Sequence, residues 1–418
     1  MNRLSFLQHF SSSLAVGAAG AGLFTLGGRA LAAGNASAGA AAAGAGGRKV
    51  RIGFIGCGGR ATWIAPLFQK HGGYEFVGAA DYFPDRAARF ARRFGIPAER
   101  AFSGLDGHKR LLDTKPDAVA IIAVPWFHPT LAANAVAAGV HVYQAKPVAV
   151  DVPGCHAIER AGAAATASGR VFLVDFQTRA NPFYIEAMRR VNTGAIGERV
   201  FGECFYHTDM HAGGRRGKLS AEDMLRQWVV HRALGGEIIV EQNIHALDVM
   251  HWAFNNTPPV QAFGTADRRV RLAGDQNDHY TLHFLYPNNV GVTFASHQHR
   301  DFGTRPDGIS MRLFCTKGVL ESDYFKQVLV RGDGAQFYRG GKVTNLYTTG
   351  AEGNIAAFHA AIAAGDCANP TVAISARSNL ISILASAAGE ARCTRAVTWD
   401  EVVNDTNRIE FDTRGMKS

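Results

Sequence analysis

A glycine-rich segment has the residue types and spacing of a dinucleotide-binding loop. Its six residues are Gly56, Cys57, Gly58, Gly59, Arg60 and Ala61. They follow an apolar, β-branched run and precede an apolar helical stretch, so they connect a predicted strand to a predicted helix. In such a loop the first glycine permits a tight turn, and the second lets a pyrophosphate approach the backbone. The phosphates then meet the N-terminus of the helix.

An acidic residue follows the next predicted strand. The apolar run of residues 75–80 ends at Asp81. A carboxylate at this point can accept hydrogen bonds from both ribose hydroxyls, and it repels a 2′-phosphate. Arg86, close by in the sequence, mildly favours NADP instead. The glycine loop and Asp81 together predict a site for NAD, with NADP less favoured.

Further polar residues follow two other predicted strands. The apolar run of residues 118–124 precedes Pro125 and His128, and the run of residues 141–143 precedes Lys146. Ligands of open parallel sheets bind at the carboxyl ends of the strands. We therefore expect Pro125, His128 and Lys146 to lie at the edge of the sheet that carries the glycine loop.

A histidine and two carboxylates have helical spacing later in the chain. Glu241, His245, Asp248 and Trp252 lie at i, i+4, i+7 and i+11, which predicts one face of a helix. A carboxylate beside a histidine fixes its tautomer and raises its basicity, so Glu241 and His245 are candidates for proton transfer. We interpret Asp248 and Trp252 as structural. Neither this pair nor the six cysteines have convincing metal-ligand spacing, so we predict no metal site.

The order of the predicted elements divides the chain into two domains. Strands and helices alternate over residues 49–176, which predicts a Rossmann dinucleotide-binding domain. Strand-like runs then accumulate over residues 199–330, with a hairpin signal at residues 287–289, and helices follow. Residues 177–418 are therefore predicted to form an α+β domain. The fold class is α/β, and the second domain has a large, mostly antiparallel open sheet.

Several stretches together resemble the Gfo/Idh/MocA oxidoreductase family, named for glucose–fructose oxidoreductase, inositol dehydrogenase and a rhizopine-catabolism protein. The matching stretches, between residues 50 and about 252, are IGFIGCGGRA, DAVAIIAVPWFHPTLAANAVAAGVHVYQAKPVAVD, FQTRANP, GAIG and EQNIHALDVMHW. The resemblance implies hydride transfer between a secondary alcohol of a sugar or polyol and a tightly bound nicotinamide cofactor, NAD(P). It also implies that residues 177–418 bind the substrate and form the subunit contact of a homo-oligomer, because the open sheet of the family packs against another subunit.

The resemblance also implies roles for individual residues. Lys146 matches the lysine of the E-K-P motif of the family, beside the nicotinamide and the substrate hydroxyl, although Ala145 replaces the glutamate. His245 matches the catalytic histidine, and Glu241 stands in place of an aspartate. Lys146 and His245 are thus the expected acid–base pair. Both are also expected to contact the substrate, and Lys146 to contact the cofactor.

Four further contacts are expected from the same comparison and from local spacing. Gln177 and Arg179 match a stretch that borders cofactor and substrate, and Trp228 lies in a segment that often supplies substrate contacts. His207 alternates with Asp209 and His211 at a strand end. These three side chains could share one face and contact sugar hydroxyls, or they could form a solvated strand edge.

The first 32 residues have the layout of an export signal. Arg3 is not balanced by an acidic residue, an apolar run covers residues 14–26, and a small-x-small site ends at Ala32. The run is too short for a bilayer span. It resembles a twin-arginine signal, although Leu4 stands where the second arginine would be. Residues 33–48 are mostly Ala and Gly and predict a flexible linker.

We therefore expect export, with the periplasm favoured over the cytoplasm and no transmembrane span in the mature protein. The alternative is an N-terminus that stays uncleaved, either disordered or as a lipid-interacting anchor. The net charge of +9 is dispersed and contains no block of five like charges, so a nucleic-acid partner is not expected.

Two other functions remain open from the sequence. The first is an NAD-dependent glycosidase that acts through a transient keto-sugar. The second is a non-catalytic, nucleotide-bound sugar-binding protein, which the alanine at position 145 makes conceivable.

Overall fold

The computed structural model describes residues 48–209, 214, 217–300, 302–304, 306 and 308–418. The predicted export signal, nearly all of the predicted linker and His211 lie outside the described residues.

Parallel strands form the first sheet, between residues 50 and 175. The strands are β1 (Val50–Ile55), β2 (Tyr74–Asp81), β3 (Ala101–Ser103), β4 (Ala118–Ile121), β5 (His141–Ala145) and β6 (Phe172–Asp175). Within this described range they pair in the order β3-β2-β1-β4-β5-β6. The inner strands are almost continuously apolar, because helices cover both faces of a parallel sheet.

Helices connect these strands. They are α1 (Gly59–His71), α2 (Pro84–Phe94), α3 (Gly107–Asp113), α4 (His128–Ala137) and α5 (Val152–Ala167). Local signals fix their ends: α2 begins at a proline and ends before Gly95 in the left-handed conformation. The side chain of Asp151 caps α5 by accepting a hydrogen bond from the Gly154 amide. The strand order reverses between β1 and β4, which opens a crevice at their carboxyl ends.

A second, larger sheet follows. After α6 (Pro182–Asn192), its strands are β7 (Arg199–Thr208), β8 (Gln261–Asp267), β9 (His279–Tyr286), β10 (Val290–Gln298), β11 (Gly308–Cys315), β12 (Gly318–Asp323), β13 (Gln327–Gly332), β14 (Tyr338–Lys342) and β15 (Val397–Thr398). Their order is β14-β13-β12-β11-β7-β10-β9-β8-β15. Strands β7 and β10 pair in parallel and the other neighbours are antiparallel. The predicted fold class is therefore confirmed.

The remaining helices lie in the second half of the chain. They are α7 (Ala221–Arg226), α8 (Arg232–Gly235), α9 (Ile238–Glu241), α10 (Ile244–Ala253), α11 (Leu346–Ala364), α12 (Pro370–Glu390) and α13 (Trp399–Val403). Helix α12 is the one described helix whose length and apolar composition would allow a membrane span. In its most apolar stretch, 72% of the residues are buried within the fold.

The structure corrects the single helix predicted for Glu241 through Trp252. Helix α9 ends at Glu241 and α10 begins at Ile244. The amides of Gln242 and Asn243 both donate to the carbonyl of Ile238, which closes the first helix early. The side chain of Gln242 is held by Gln298 from strand β10. A tertiary contact thus interrupts a helical pattern that continues in the sequence.

Helix α11 also departs from the simple division into two consecutive domains. Ala351, Ile355 and Phe358 are buried in the same cluster as Ile52 and Phe54 of β1. The sequence placed α11 in the second domain, but its apolar face completes the core of the first.

Candidate active site

The glycine loop has the backbone that its sequence predicts. Gly56 has a φ of 88°, and a β-carbon there would lie 2.5 Å from the carbonyl oxygen of Ile122. Only glycine fits this position without strain. Gly58 precedes α1 without any side-chain cap, and β-carbons at Gly58 and Gly59 would meet no atom within 4 Å. The first amides of α1 therefore face open space, which suits a phosphate group.

Asp81 lies at the end of β2 beside this loop. Its Oδ2 accepts a hydrogen bond from the Cys57 amide at 2.8 Å, and its Oδ1 accepts one from the Phe83 amide at 2.9 Å. Burial raises the pKa of Asp81, and the two amides oppose that shift. The carboxylate is thus oriented by the backbone before any ligand binds. The Cys57 thiol is free and buried, and Ala61 packs inside the fold.

A cavity of about 500 Å³ runs from Asp81 to the carboxyl end of β5. This volume is in the range of small-molecule sites. The cavity brings together many of the predicted residues. They are Gly56, Gly58, Gly59, Arg60, Asp81, Pro125, Lys146, Gln177, Trp228, Glu241 and His245.

Lys146 and Glu241 form a pair at the end of the cavity away from Asp81. The Nζ of Lys146 lies 3.3 Å from Glu241 Oε1 and 2.5 Å from the Glu241 backbone oxygen. Both side chains are about 15% exposed. Burial lowers the pKa of Lys146, and the Glu241 carboxylate opposes that shift. The two residues belong to different domains, so the pair exists only when the domains are packed together.

His245 has a different partner from the one expected. The sequence placed Glu241 beside it, but its Nδ1 lies 3.0 Å from the hydroxyl of Tyr324, on the loop after β12. Burial lowers the pKa of His245 well below its usual value, and the charges of Lys146 and Arg60 lower it further. The imidazole is therefore neutral near pH 7.

An ion pair forms part of the wall between the two ends. Arg60 Nη2 lies 2.7 Å from Asp175 Oδ2, and Asp175 is fully buried at the end of β6. Asn354 donates to the other carboxylate oxygen at 2.8 Å. Asp175, Tyr324 and Asn354 were not predicted from the sequence, because each reaches the site through contacts far apart in the chain.

His128 contacts the protein rather than the cavity. Its ring nitrogens lie 2.8 Å from the Pro147 oxygen and 2.9 Å from the Ala123 oxygen. Burial lowers the pKa of His128 to about 4, so the neutral ring donates to one of these carbonyls. It connects the loop after β4 to the loop that carries Lys146. Pro125, three residues earlier, does line the cavity.

The predicted substrate contacts divide between the cavity and other places. Trp228 and Gln177 line the cavity. The guanidinium of Arg179 instead contacts the fully buried carboxylate of Asp248 at 2.8 Å. The ring of His207 stacks on His297 at the outer face of the second sheet. In the structure, Arg179 therefore pairs with a buried carboxylate, and neither Arg179 nor His207 lines the cavity.

The donor set of the cavity fits a nicotinamide dinucleotide. Across the described residues, no group of three or more His, Cys, Asp or Glu side chains has a metal-binding arrangement. The uncapped α1 and the pre-oriented Asp81 match a pyrophosphate and a ribose. The distant end of the cavity, with its buried amine and imidazole, matches a reacting alcohol.

Two family models match the sequence and together cover more than half of it. The GFO/IDH/MocA oxidoreductase model, described as an NAD-binding Rossmann fold, matches residues 50–176. The GFO/IDH/MocA C-terminal domain matches residues 184–321. The chain belongs to the Gfo/Idh/MocA family. This confirms the resemblance seen in the sequence.

Curated relatives resemble part of the chain. An inositol 2-dehydrogenase from Acidothermus cellulolyticus is 27% identical over 236 residues, which are 54% of this chain and 60% of that protein. One from Pseudomonas savastanoi is 30% identical over 188 residues, or 44% and 48%. The chain thus matches about half the length of these relatives.

Solved structures share the fold over a longer range. An inositol dehydrogenase homologue from Azotobacter vinelandii, complexed with NAD⁺, has a TM-score of 0.70 at 16% identity, covering 84% of this chain and 97% of its own. Levoglucosan dehydrogenase, complexed with NADH and levoglucosan, has a TM-score of 0.68 at 18% identity, with 84% and 99% covered. At this identity the likeness establishes the fold.

Proposed function

We propose that the protein is an NAD-dependent dehydrogenase of a secondary alcohol in a sugar or polyol. One observation carries the proposal: a single cavity has the glycine loop and Asp81 at one end, and Lys146 and His245 at the other. The family and the names of its similar members, inositol 2-dehydrogenase and levoglucosan dehydrogenase, support this substrate class.

Lys146 is the group that takes the hydroxyl proton in this proposal. Desolvation lowers its pKa, so a larger fraction of the amine is neutral near pH 7 than in water. The neutral amine accepts a proton as the substrate carbon loses hydride, and Glu241 then stabilises the ammonium that forms. When bound, NAD supplies the chemistry of hydride acceptance.

His245 orients the same hydroxyl. Tyr324 occupies Nδ1, which leaves Nε2 for the substrate. Because the ring is neutral, it contributes a directed hydrogen bond beside the lysine and adds no second positive charge. Trp228 and the Arg60–Asp175 pair form the surrounding wall and restrict the orientation of the sugar ring.

The first experiment is to purify the protein, release any bound nucleotide and identify it. The protein is then assayed for NADH formation with a panel of polyols, aldoses and anhydrosugars. We expect bound NAD and alcohol-dependent reduction, both measurable without an added cofactor if binding is tight. A protein that neither holds nor binds a nicotinamide nucleotide would overturn the proposal.

The same assay separates the two other functions. Release of an aglycone from a glycoside without net NADH would favour the glycosidase. Lys146→Ala separates an enzyme from a binding protein, because a biological output that this change leaves intact would exclude both enzyme functions.

We also propose that the protein is exported and works in the periplasm. The support is the sequence of residues 1–32, with its apolar run and small-x-small site. Fractionation of expressing cells, with mass spectrometry of the mature N-terminus, tests this. We expect a periplasmic species that begins near Ala33, and an uncleaved cytoplasmic chain would contradict it.

We further propose a homo-oligomer that uses the outer face of the second sheet. Phe201 is 44% exposed there and stacks on Phe314 with ring centroids 4.4 Å apart. Exposed aromatic pairs on an open sheet favour association. Light scattering on the purified protein should give a multiple of the monomer mass. The Phe201→Glu variant should have a lower mass in the same measurement.

A further inference from the structure

Residues 405–418 run along the first domain without forming a helix or a strand. Two hydrogen bonds fix the start of this segment. The Ile409 amide donates to Asp151 Oδ2 at 2.9 Å, and the Trp126 indole donates to the Ile409 oxygen at 2.8 Å. Phe411 is only 7% exposed, and its ring lies 5.8 Å from that of Trp126. We call this segment the strap.

The end of the strap bonds to residues that line the cavity. The Leu105 amide donates to the Lys417 oxygen at 2.8 Å, and the Lys417 amide donates to the Tyr82 hydroxyl at 3.2 Å. A β-carbon at Gly104 would lie 2.2 Å from the Ser418 oxygen, so backbone meets backbone there. Tyr82, Gly104 and Leu105 form the wall of the cavity beside Asp81.

The second domain reaches the same wall. Tyr82 donates its hydroxyl to Glu222 Oε1 at 2.6 Å, although its ring belongs to the loop after β2. Phe83, Leu225 and Phe411 form one buried cluster, and Met416 packs against it. The strap therefore lies on a contact between the two domains, at the end of the cavity away from Lys146.

We propose that the strap clamps the adenosine end of the cavity and slows the release of the dinucleotide. This inference rests on the proposed function, which places the adenosine ribose at Asp81. The wall formed by Tyr82 and Leu105 can move outward only if the backbone bonds of the strap break and Phe411 leaves its cluster. Bound NAD then behaves as a retained group that the enzyme uses repeatedly.

The test is the dissociation rate of NADH, followed by fluorescence after mixing the loaded protein with excess NAD. A chain truncated after Thr406 should release NADH at least about tenfold faster than the full chain, because differences in affinity appear mainly in the dissociation rate. Phe411→Ala keeps the whole segment but removes its buried anchor, and it should give an intermediate rate. Arg414→Ala is the matched control, since its side chain is 91% exposed and pairs with Asp412 of the same segment.

Circular dichroism verifies that each variant is folded. If truncation prevents folding, Phe411→Ala decides the question. A folded strap variant that releases NADH at the rate of the full chain would overturn the clamp. A full chain that binds no nicotinamide nucleotide would instead overturn the proposed function, so the two failures are distinguishable.

Discussion

The two ends of the cavity are built in different ways. At the adenosine end, beside Asp81, the binding groups come from a short stretch of backbone. Gly56 permits the turn, and α1 presents its free amides. The amides of Cys57 and Phe83 hold the Asp81 carboxylate. At the reacting end, side chains do the work. Lys146 and Glu241 come from different domains, and His245 depends on Tyr324.

This difference shows why one end tolerates less change in its backbone and the other less change in its side chains. The backbone at Gly56 cannot accept a β-carbon without strain, because the chain itself occupies the space. A buried ammonium group is destabilised when its charge partner is lost, because the cost of its desolvation is then uncompensated.

Lys146→Ala should remove activity without removing the cofactor. General acid–base groups contribute about 10²- to 10⁴-fold to rates, so kcat should fall by that factor. The Kd for NAD should change by less than about tenfold, because the glycine loop is untouched. Steady-state kinetics and NAD titration measure both. Lys70→Ala, on an exposed side chain paired with Glu352, is the control and should change neither value.

Gly56→Ala should weaken NAD binding and leave the acid–base residues intact. Strain at a left-handed position costs about 1–3 kcal/mol, which corresponds to roughly 5- to 150-fold weaker NAD binding when the strain is relieved in the free protein. The added methyl group also meets the Ile122 oxygen. Gly95→Ala is the matched control, because Gly95 has a φ of 71° with open space around it. Equal losses of NAD affinity in the two variants would show that the effect is not specific to the loop.

Glu241→Gln should shift the pH dependence of alcohol oxidation. The carboxylate raises the pKa of Lys146 against the effect of burial. Without it the pKa falls further, so the neutral amine forms at lower pH. The rising limb of the pH profile of kcat/KM should move to lower pH by about one to two pH units. The plateau should fall by about tenfold, as a charge-assisted hydrogen bond is lost. A shift toward alkaline pH, or a limb that also moves in the surface variant Glu352→Gln, would contradict this.

Tyr324→Phe should have the smallest effect. It removes one hydrogen bond to His245, worth about 1 kcal/mol, so kcat/KM should fall by about fivefold with little change in NAD affinity. Tyr184→Phe is the control, since that buried hydroxyl has Ser322 as its hydrogen-bond partner. If both variants lost the same activity, general destabilisation would explain the result.

Local patterns allowed the adenosine end to be predicted from sequence. The glycine spacing, the flanking apolar runs and the acid after β2 all lie within residues 49–81, and each has a direct backbone consequence. The alternation of strands and helices likewise predicted the parallel sheet. The later strand runs predicted the mostly antiparallel sheet, whose hairpin turn lies at residues 287–289 as expected.

The reacting end could be predicted only in part. Lys146, Glu241 and His245 were identified, but their pairing was not, because Tyr324 lies 79 positions from His245 and sequence spacing carries no information on such contacts. The interruption between α9 and α10 was not predicted for the same reason, because it depends on a contact with Gln298, which is distant in the sequence. Arg179 is a residue type that often binds ligands, but in the structure it forms an ion pair with the buried carboxylate of Asp248.

The packing of α11 sets the order of events during synthesis. Phe358 and its neighbours complete the core around β1, although the glycine loop precedes them by some 300 positions in the chain. The core of the first domain therefore stays incomplete until the ribosome has synthesised the chain through Phe358. We expect NAD to bind only after α11 has been synthesised and has packed against β1.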